Sequence, residues 1–123
     1  MKKMYHLATC TTCQAIIKET GIDKLAAAGK IKLQDIKTEK ITPAQLEEMK
    51  QIAGTYESLF SRRALKYKEL GLKDKDLSEK DYRDHILAEY TFLKRPVTIL
   101  ESQIFVGNDK KTVAALKTAI SGT

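Results

Sequence analysis

The chain lacks the sequence features of membrane-spanning and exported proteins. No apolar run approaches the roughly 18–20 residues needed to cross a bilayer. Residues 1–5 pass directly into a strand-like run without the apolar core of a signal peptide. We therefore expect a cytoplasmic protein with no membrane partner. Long Gly-, Ser- or Pro-rich stretches and internal repeats are also missing, which predicts a single domain over residues 1–123.

Basic residues are numerous but do not form a continuous run. The formal net charge is +6, and no run of lysine or arginine is longer than two. This scatter is typical of a solvated surface and gives no stripe for direct nucleic-acid binding. Only four residues are arginine, and three of them, Arg62, Arg63 and Arg95, lie in segments with other distinctive residues. A guanidinium offers a planar set of donors that suits oxyanions.

Cysteine is scarce, and both copies fall in one motif, Cys10-Thr11-Thr12-Cys13. A strand-like run precedes the motif and a helix-like run follows it. The first thiol thus lies among unpaired backbone N–H groups at the positive end of a helix dipole, which lowers its pKa. In a reducing compartment such a pair favours catalysis, redox sensing or metal binding over a structural disulfide. The alternative for Cys10 is a small buried apolar residue.

A zinc site is not expected, because a structural site needs four ligands. The chain offers only Cys10, Cys13, His6 on the preceding strand and His85 on a distant helix. His6 could deprotonate or orient Cys10, or could be a packed strand residue, and the sequence leaves both interpretations open.

The hydrophobic pattern predicts an α/β protein ordered β-α-β, a helical block, then β-β-α. The expected architecture is a small mixed sheet flanked by helices, with a helical insertion at about residues 41–92. The first two strands are too far apart for a hairpin, which favours parallel pairing. Helix signals are Thr42-Pro43, the capping-box-like Ser78 to Asp81, and Asn108-Asp109. The predicted strands are 3–8, 30–36, 96–100 and 103–106. The predicted helices begin at 14, 43, 56, 79 and 110, and the third of them runs from Tyr56 to Leu70.

Three blocks carry a resemblance to the thioredoxin-like ArsC/Spx family of arsenate reductases and their relatives. Tyr5-His6 with the cysteine motif is the first, Leu59 to Arg63 followed by residues 67–72 the second, and Phe92 to Pro96 the third. They stand in family order and at family spacing. The resemblance implies a thioredoxin-like fold over essentially the whole chain.

The resemblance also implies roles for individual residues. Cys10 corresponds to the nucleophile, and Arg63 and Arg95 correspond to arginines that bind the oxyanion and favour the thiolate. His6 matches a histidine held near that cysteine, and Pro96 matches the proline that is cis in this fold. Thr11 and Thr12 are expected to support the site with His6 and Pro96.

Two functions follow, depending on how Cys13 is interpreted. As a resolving thiol, it would complete an arsenate reductase-like oxidoreductase that acts on an oxyanion or oxidised thiol. Such an enzyme needs no bound cofactor and is recycled by thioredoxin or glutathione/glutaredoxin. Serine is usual at this position in glutathione-dependent relatives, and their third arginine is missing from Val106-Gly107-Asn108. These departures suit an Spx-like redox-sensing regulator that binds RNA polymerase. The alternative to a resolving role is that Cys13 is a buried residue with no part in the chemistry.

Overall fold

The computed structural model of the chain describes residues 2–122. In that part of the chain it shows four strands and six α-helices, which confirms the α/β class. They are β1 (Lys2–His6), α1 (Thr11–Thr20), α2 (Ile22–Ala27), β2 (Lys32–Asp35), α3 (Pro43–Ala53), α4 (Leu65–Glu69), α5 (Glu79–Ala88), β3 (Val97–Leu100), β4 (Gln103–Val106) and α6 (Lys110–Ser121). The chain divides into two compact units: one runs to Glu39 and resumes at Arg95, and the other is Lys40–Lys94.

The first unit contains a four-stranded mixed sheet in the order β2-β1-β3-β4. β1 and β2 are parallel, with Met4 opposite Leu33, as the separation of the two predicted strands indicated. β1 and β3 are antiparallel, with Met4 opposite Thr98. β3 and β4 form the predicted antiparallel hairpin, with Leu100 opposite Gln103.

An apolar core lies on one face of this sheet. Met4 and Leu100 from the strands pack with residues of α1, α2 and α6, and Ile31 before β2 joins them. The cluster consists of Met4, Ile16, Ile17, Ile22, Ile31, Leu100, Leu116 and Ile120. In α1 the buried residues recur at helical spacing, so that one stripe of the helix faces the sheet. This packing fixes the start of α1 relative to the end of β1.

The predicted capping residues are confirmed at three helix starts. The Thr42 side chain accepts from the Gln45 backbone N–H at 3.1 Å. The Ser78 hydroxyl accepts from the Asp81 backbone N–H at 3.2 Å. The Asp109 carboxylate accepts from the Thr112 backbone N–H at 2.7 Å. Each contact satisfies one backbone donor that a helix start leaves unpaired.

The second unit centres on Phe60. Its ring stacks on Phe92 with centroids 4.9 Å apart and meets Tyr82 edge-on at the same distance. An isolated antiparallel bridge pairs Phe60 with Leu93, and the Ser61 backbone N–H donates to the Phe92 carbonyl at 2.7 Å. These contacts join two segments that are distant in sequence.

Continuous helix from Tyr56 to Leu70 was a wrong prediction. The segment contains a 3₁₀ turn at Glu57–Leu59, extended backbone at Phe60 and the separate five-residue helix α4. Burial of Phe60 in the aromatic cluster and its pairing with Leu93 require extended backbone, which outweighs helix propensity here. The sequence reading also missed α2, which follows α1 directly through Gly21 at φ +84°. Among the described residues, no helix has both the length and the apolar character needed to cross a bilayer.

Candidate active site

Cys10 lies at the junction between β1 and α1. It is the N-cap residue of α1, with extended backbone angles of φ −88° and ψ 113°. Its backbone N–H donates to the Leu7 carbonyl at 3.0 Å, and its carbonyl accepts from the Gln14 backbone N–H at 3.1 Å. These bonds hold the thiol beside the free N–H groups of the first helical turn. The helix begins three residues earlier than predicted, so the motif residues after Cys10 are all helical.

The pKa of the Cys10 thiol is lowered. Partial burial acts to raise it, but hydrogen bonding with the Cys13 backbone N–H, the Cys13 thiol and the Thr12 backbone N–H outweighs burial, and the charge of Arg95 adds to that effect. The sulfur forms no regular N-cap hydrogen bond, but the N–H groups of Thr12 and Cys13 lie close enough to favour its charged form. Cys10 is half-buried and so is open to a substrate. The result agrees in direction with the prediction for a thiol at a helix start.

Cys13 has the opposite environment. Its side chain is 0% exposed, and burial raises the pKa of its thiol to about 11. A hydrogen bond from the Leu7 backbone N–H lowers this pKa, whereas the bond to Cys10 and the Cys10 charge raise it. Within the pair, ionisation is therefore favoured at Cys10, and the Cys13 thiol keeps its proton and donates a hydrogen bond to the Cys10 sulfur. Neither cysteine is in a disulfide.

Arg95 and Pro96 precede β3 and belong to the same unit as the cysteines. The Arg95–Pro96 peptide bond is cis, as the resemblance implies. Pro96 is buried, and its carbonyl accepts from the Gly107 backbone N–H at 2.9 Å. The positive charge of Arg95 lowers the pKa of both Cys10 and Cys13. This effect places the guanidinium within electrostatic range of both sulfurs.

Thr11 and Thr12 are the first two residues of α1, and both are exposed. The Thr12 backbone N–H helps to lower the pKa of Cys10. Its contribution thus comes from the main chain. Roles for the two hydroxyls stay predictions.

His6 is the last residue of β1 and is only 7% exposed. Burial lowers the pKa of its imidazole, and the charge of Asp35 on β2 partly offsets this. A neutral imidazole at pH 7 follows. His6 therefore does not supply the positive charge that would stabilise a Cys10 thiolate. Its Nδ1 atom is fully buried and has no hydrogen-bond partner.

Arg62 and Arg63 both lie in the second unit and differ in their contacts. Arg62 pairs with the Glu57 carboxylate at 2.9 Å and donates to the Tyr82 hydroxyl at 3.1 Å, so it is part of the structure of that unit. Arg63 is exposed. Within residues 40–94 its guanidinium forms no ion pair or side-chain hydrogen bond. An oxyanion-binding role for Arg63 stays a prediction.

Among residues 2–122, no group of three or more His, Cys, Asp or Glu side chains is arranged to hold a metal ion. His85 instead packs edge-on against Phe92, with centroids 5.5 Å apart.

The contact between the Leu7 backbone N–H and the Cys13 sulfur was not anticipated from the sequence. It depends on how α1 crosses β1, which no local motif encodes. Burial of Cys13 could have been found, because Cys13, Ile16, Ile17 and Thr20 form one helical stripe at i, i+3, i+4 and i+7.

The sheet order, the cysteine pair at the start of α1 and the cis-proline before β3 define a thioredoxin-like protein. The model of the ArsC family matches residues 5–116. The chain therefore belongs to the ArsC family.

Solved structures show the same fold. An arsenate reductase from Vibrio cholerae has a TM-score of 0.73 at 18% identity, covering 94% of this chain and 96% of its own. A protein described as a possible arsenate reductase from Streptococcus mutans UA159 has a TM-score of 0.68 at 25% identity, covering 89% of this chain and 92% of its own. SACOL0876 from Staphylococcus aureus COL has a TM-score of 0.68 at 24% identity, covering 94% of this chain and 97% of its own. No curated protein sequence matches the chain.

Proposed function

We propose that the chain is an arsenate reductase-like thiol oxidoreductase in which Cys10 attacks the substrate and Cys13 resolves the product. The observation that best supports this proposal is that the two cysteines have opposite environments. Cys10 is accessible and favours the thiolate, whereas Cys13 is buried and holds its proton. Thiolates are the nucleophilic form of cysteine. One cysteine is thus set to attack first.

Arsenate is the oxyanion that membership of this family favours as substrate. The Cys10 thiolate attacks arsenic(V), and one arsenic-bound oxygen leaves as water after taking up protons. The Cys13 sulfur then attacks the Cys10 sulfur, so that an S–S bond forms and the S–As bond breaks. Its electron pair stays on arsenic, which leaves as arsenite, arsenic(III). Two thiols are oxidised, and arsenic gains two electrons.

The order of the two attacks follows from the pair itself. While Cys10 carries its charge, that charge raises the pKa of Cys13. Once Cys10 is bonded to the substrate, the charge is gone and the resolving thiol becomes easier to ionise. Cys13 is therefore activated only after the first step.

Arg95 supplies positive charge at the cysteine pair and is proposed to bind the oxyanion there. Arg63 is proposed as the second oxyanion arginine, because it matches the family position and has no ion-pair partner within its own unit. The resulting disulfide is proposed to be reduced by an external thiol system, either thioredoxin or glutathione with glutaredoxin. No bound metal or cofactor is needed for this cycle.

Arsenate-dependent turnover tests the proposal, with thioredoxin and with glutathione/glutaredoxin assayed in parallel. We expect turnover by the wild type, none by Cys10→Ser, and loss of the thioredoxin-coupled reaction in Cys13→Ser. Arg62→Gln is the control for Arg63→Gln, because it removes a neighbouring arginine that is paired within the structure. Absence of turnover with both reductants would overturn arsenate as the substrate. Full activity of Cys10→Ser would overturn the nucleophile.

The Spx-like regulator stays the alternative prediction. Its support is the second cysteine and the absence of arginine at Val106-Gly107-Asn108. Such regulators have a glycine at the polymerase contact near the place of Gly54, but the spacing from Gly54 to Arg63 is one residue longer here. Gly54 is the C-cap of α3 at φ +100°. A positive φ at a helix C-cap is enough to explain a glycine at this position, without any polymerase contact. A pull-down that recovers no RNA polymerase subunit in either redox state would count against the regulator.

A further inference from the structure

Two buried polar atoms among the described residues have no hydrogen-bond partner: His6 Nδ1 and Thr98 Oγ1. Their residues are 7% and 0% exposed. Buried polar groups in folded proteins are almost always paired, so each exception calls for a physical reason. His6 is also a titratable residue beside the cysteine motif in sequence.

His6 lies on the sheet face that α1 covers. Side chains alternate along a strand, so His6 shares a face with Met4. Met4 packs with Ile16 and Ile17 of α1 in the apolar core. Cys13 lies one helical turn before those residues, on the same buried stripe. His6 and Cys13 thus occupy the same layer between β1 and α1.

A backbone contact also places the Cys13 sulfur near the strand residue His6. The Cys13 sulfur is hydrogen-bonded by the Leu7 backbone N–H. That N–H belongs to the peptide that joins His6 to Leu7. The sulfur of the buried cysteine therefore lies near the end of β1, in the layer that the His6 side chain also occupies, although no hydrogen bond joins it to His6 Nδ1 in the resting state.

Resolution by Cys13 requires that its proton be removed. With a pKa of about 11 before the first step, only about one thiol in 10⁴ is ionised at pH 7. Cys13 is fully buried, so water has poor access to it. A neutral imidazole with an unpaired nitrogen in the same layer is a suitable acceptor.

We propose that His6 is the proton acceptor for the Cys13 thiol in the resolving step, a role separate from any action on Cys10. In that step the Cys13 S–H bond breaks and its proton passes to the imidazole. The sulfur's electron pair forms the S–S bond with Cys10, and the bond from Cys10 to its adduct breaks with its electrons on the leaving group. The 7% of His6 that stays exposed allows the proton to leave to solvent. This inference rests on the proposed dithiol chemistry but not on arsenate as substrate.

The charged and titratable groups around His6 are few. Asp35 stands opposite it on β2, Cys10 and Cys13 lie at the start of α1, and Arg95 precedes β3. The buried residues of α2 and α6, the other two helices on this face, are apolar. Burial keeps the pKa of His6 below its ordinary value, so the imidazole is available as a base throughout the neutral range.

A small disulfide, 5,5′-dithiobis(2-nitrobenzoate), separates the two steps without arsenate. Attack by Cys10 releases one coloured thiolate and leaves a mixed disulfide on Cys10. Attack by Cys13 on Cys10 then releases the second thiolate, and the mass of the product identifies the internal disulfide. Stopped-flow absorbance gives both rates. The quantity compared is the rate of the second release divided by the rate of the first.

In the wild type we expect the second rate to be constant between pH 7 and 8.5 and to fall below the pKa of His6. In His6→Asn we expect the ratio at pH 7 to fall by about 10²-fold, the usual scale for loss of a general base. Its second rate should then rise about tenfold per pH unit, because hydroxide must remove the proton. Thr98→Val is the matched control, since it removes the other unpaired buried polar atom from the same face. Its ratio should match that of the wild type.

Three results would overturn the assignment. One is a wild-type second rate that rises tenfold per unit from pH 7 to 8.5, which decides the question even if His6→Asn does not fold. Another is an unchanged ratio in His6→Asn. A third is an equal loss in Thr98→Val, which would point to repacking of the layer. Arsenate turnover plays no part in these readouts, so failure here is distinguishable from failure of the proposed substrate.

Discussion

The burial of Cys13 predicts a specific loss of stability at alkaline pH. A buried thiol with a raised pKa favours the folded state fully below the pKa of the unfolded chain, and that contribution is lost as pH rises toward the folded pKa. The folded value is about 11, and an unfolded cysteine titrates at about 8.5. A difference of about 2.5 units at 1.36 kcal/mol each gives roughly 3 kcal/mol, of which about 2.5 kcal/mol is lost by pH 10.5.

Urea unfolding of the reduced protein from pH 7.5 to pH 10.5 measures this loss. Lysine and tyrosine also titrate in this range, so the free energy of unfolding is compared with that of Cys13→Ala at each pH. Groups away from the cysteine pair are shared by the two proteins and cancel in the difference, whereas the pKa of Cys10 rises in Cys13→Ala because a hydrogen bond to its sulfur is lost. We expect the wild type to be the more stable at pH 7.5, because truncation leaves a small cavity. That advantage should shrink by up to about 2.5 kcal/mol at pH 10.5, because the lower pKa of Cys10 in the wild type acts in the opposite direction.

A second variant separates burial from charge. The Cys10 thiolate also raises the pKa of Cys13, although less than burial does. Cys10→Ser should therefore keep most of the alkaline loss and reduce it only in part. If the wild type and Cys13→Ala lose stability in parallel across the whole range, Cys13 does not hold its proton in the folded state. The order of attack proposed for the two thiols would then have no basis.

Further outcomes follow from single contacts. Cys13→Ala and Arg95→Gln should both slow alkylation of Cys10 by iodoacetamide at pH 6.5. The loss should be larger in Cys13→Ala, because the Cys13 thiol hydrogen bond lowers the pKa of Cys10 more than the Arg95 charge does; a larger loss in Arg95→Gln would reverse our ranking. Asp109→Ala should lower the free energy of unfolding by about 1 kcal/mol, since it removes the side-chain cap of α6, whereas Asp109→Asn should restore most of it. Arg62→Met should cost less than about 1 kcal/mol by thermal denaturation, because the Arg62–Glu57 pair is 49% and 53% exposed, and a much larger loss would show that the Tyr82 contact dominates.

The elements that the sequence predicted well are those whose signals are local. Capping side chains at Thr42, Ser78 and Asp109 act within three residues of themselves, so their identity alone marks a helix start. The hairpin after Pro96 has two β-rich runs separated by two residues, which is also a local pattern. The parallel pairing of β1 and β2 followed from the length of the connection.

The elements that were missed depend on contacts between distant segments. Phe60 is extended because it pairs with Leu93 and stacks on Phe92. No window of sequence around Phe60 contains those partners, and the local pattern favours a helix. The short helix α2 was overlooked because six residues give too few turns for a clear period.

The features of the candidate site also divide into those that the local sequence predicts and those that it does not. The lowered pKa of Cys10 was predictable, because a strand followed by a helix places the cysteine at a helix start. The neutral state of His6 was not predictable, since it depends on how far the folded chain buries the imidazole. Arg95 was placed near the cysteines through the resemblance, and the structure gives it an electrostatic effect on both.

One helix gives the two cysteines opposite chemistry because they are three residues apart at its start. Cys10 is the N-cap residue, where the N–H groups of the first helical turn are free and solvent is near. Cys13 is one turn further, on the stripe that packs against the sheet. Moving the nucleophile by a turn would therefore bury it and raise its pKa. For this reason the roles cannot be exchanged: Cys10→Ser should leave a chain whose remaining thiol is nearly inert to iodoacetamide at pH 7.5, whereas Cys13→Ser should keep a reactive one.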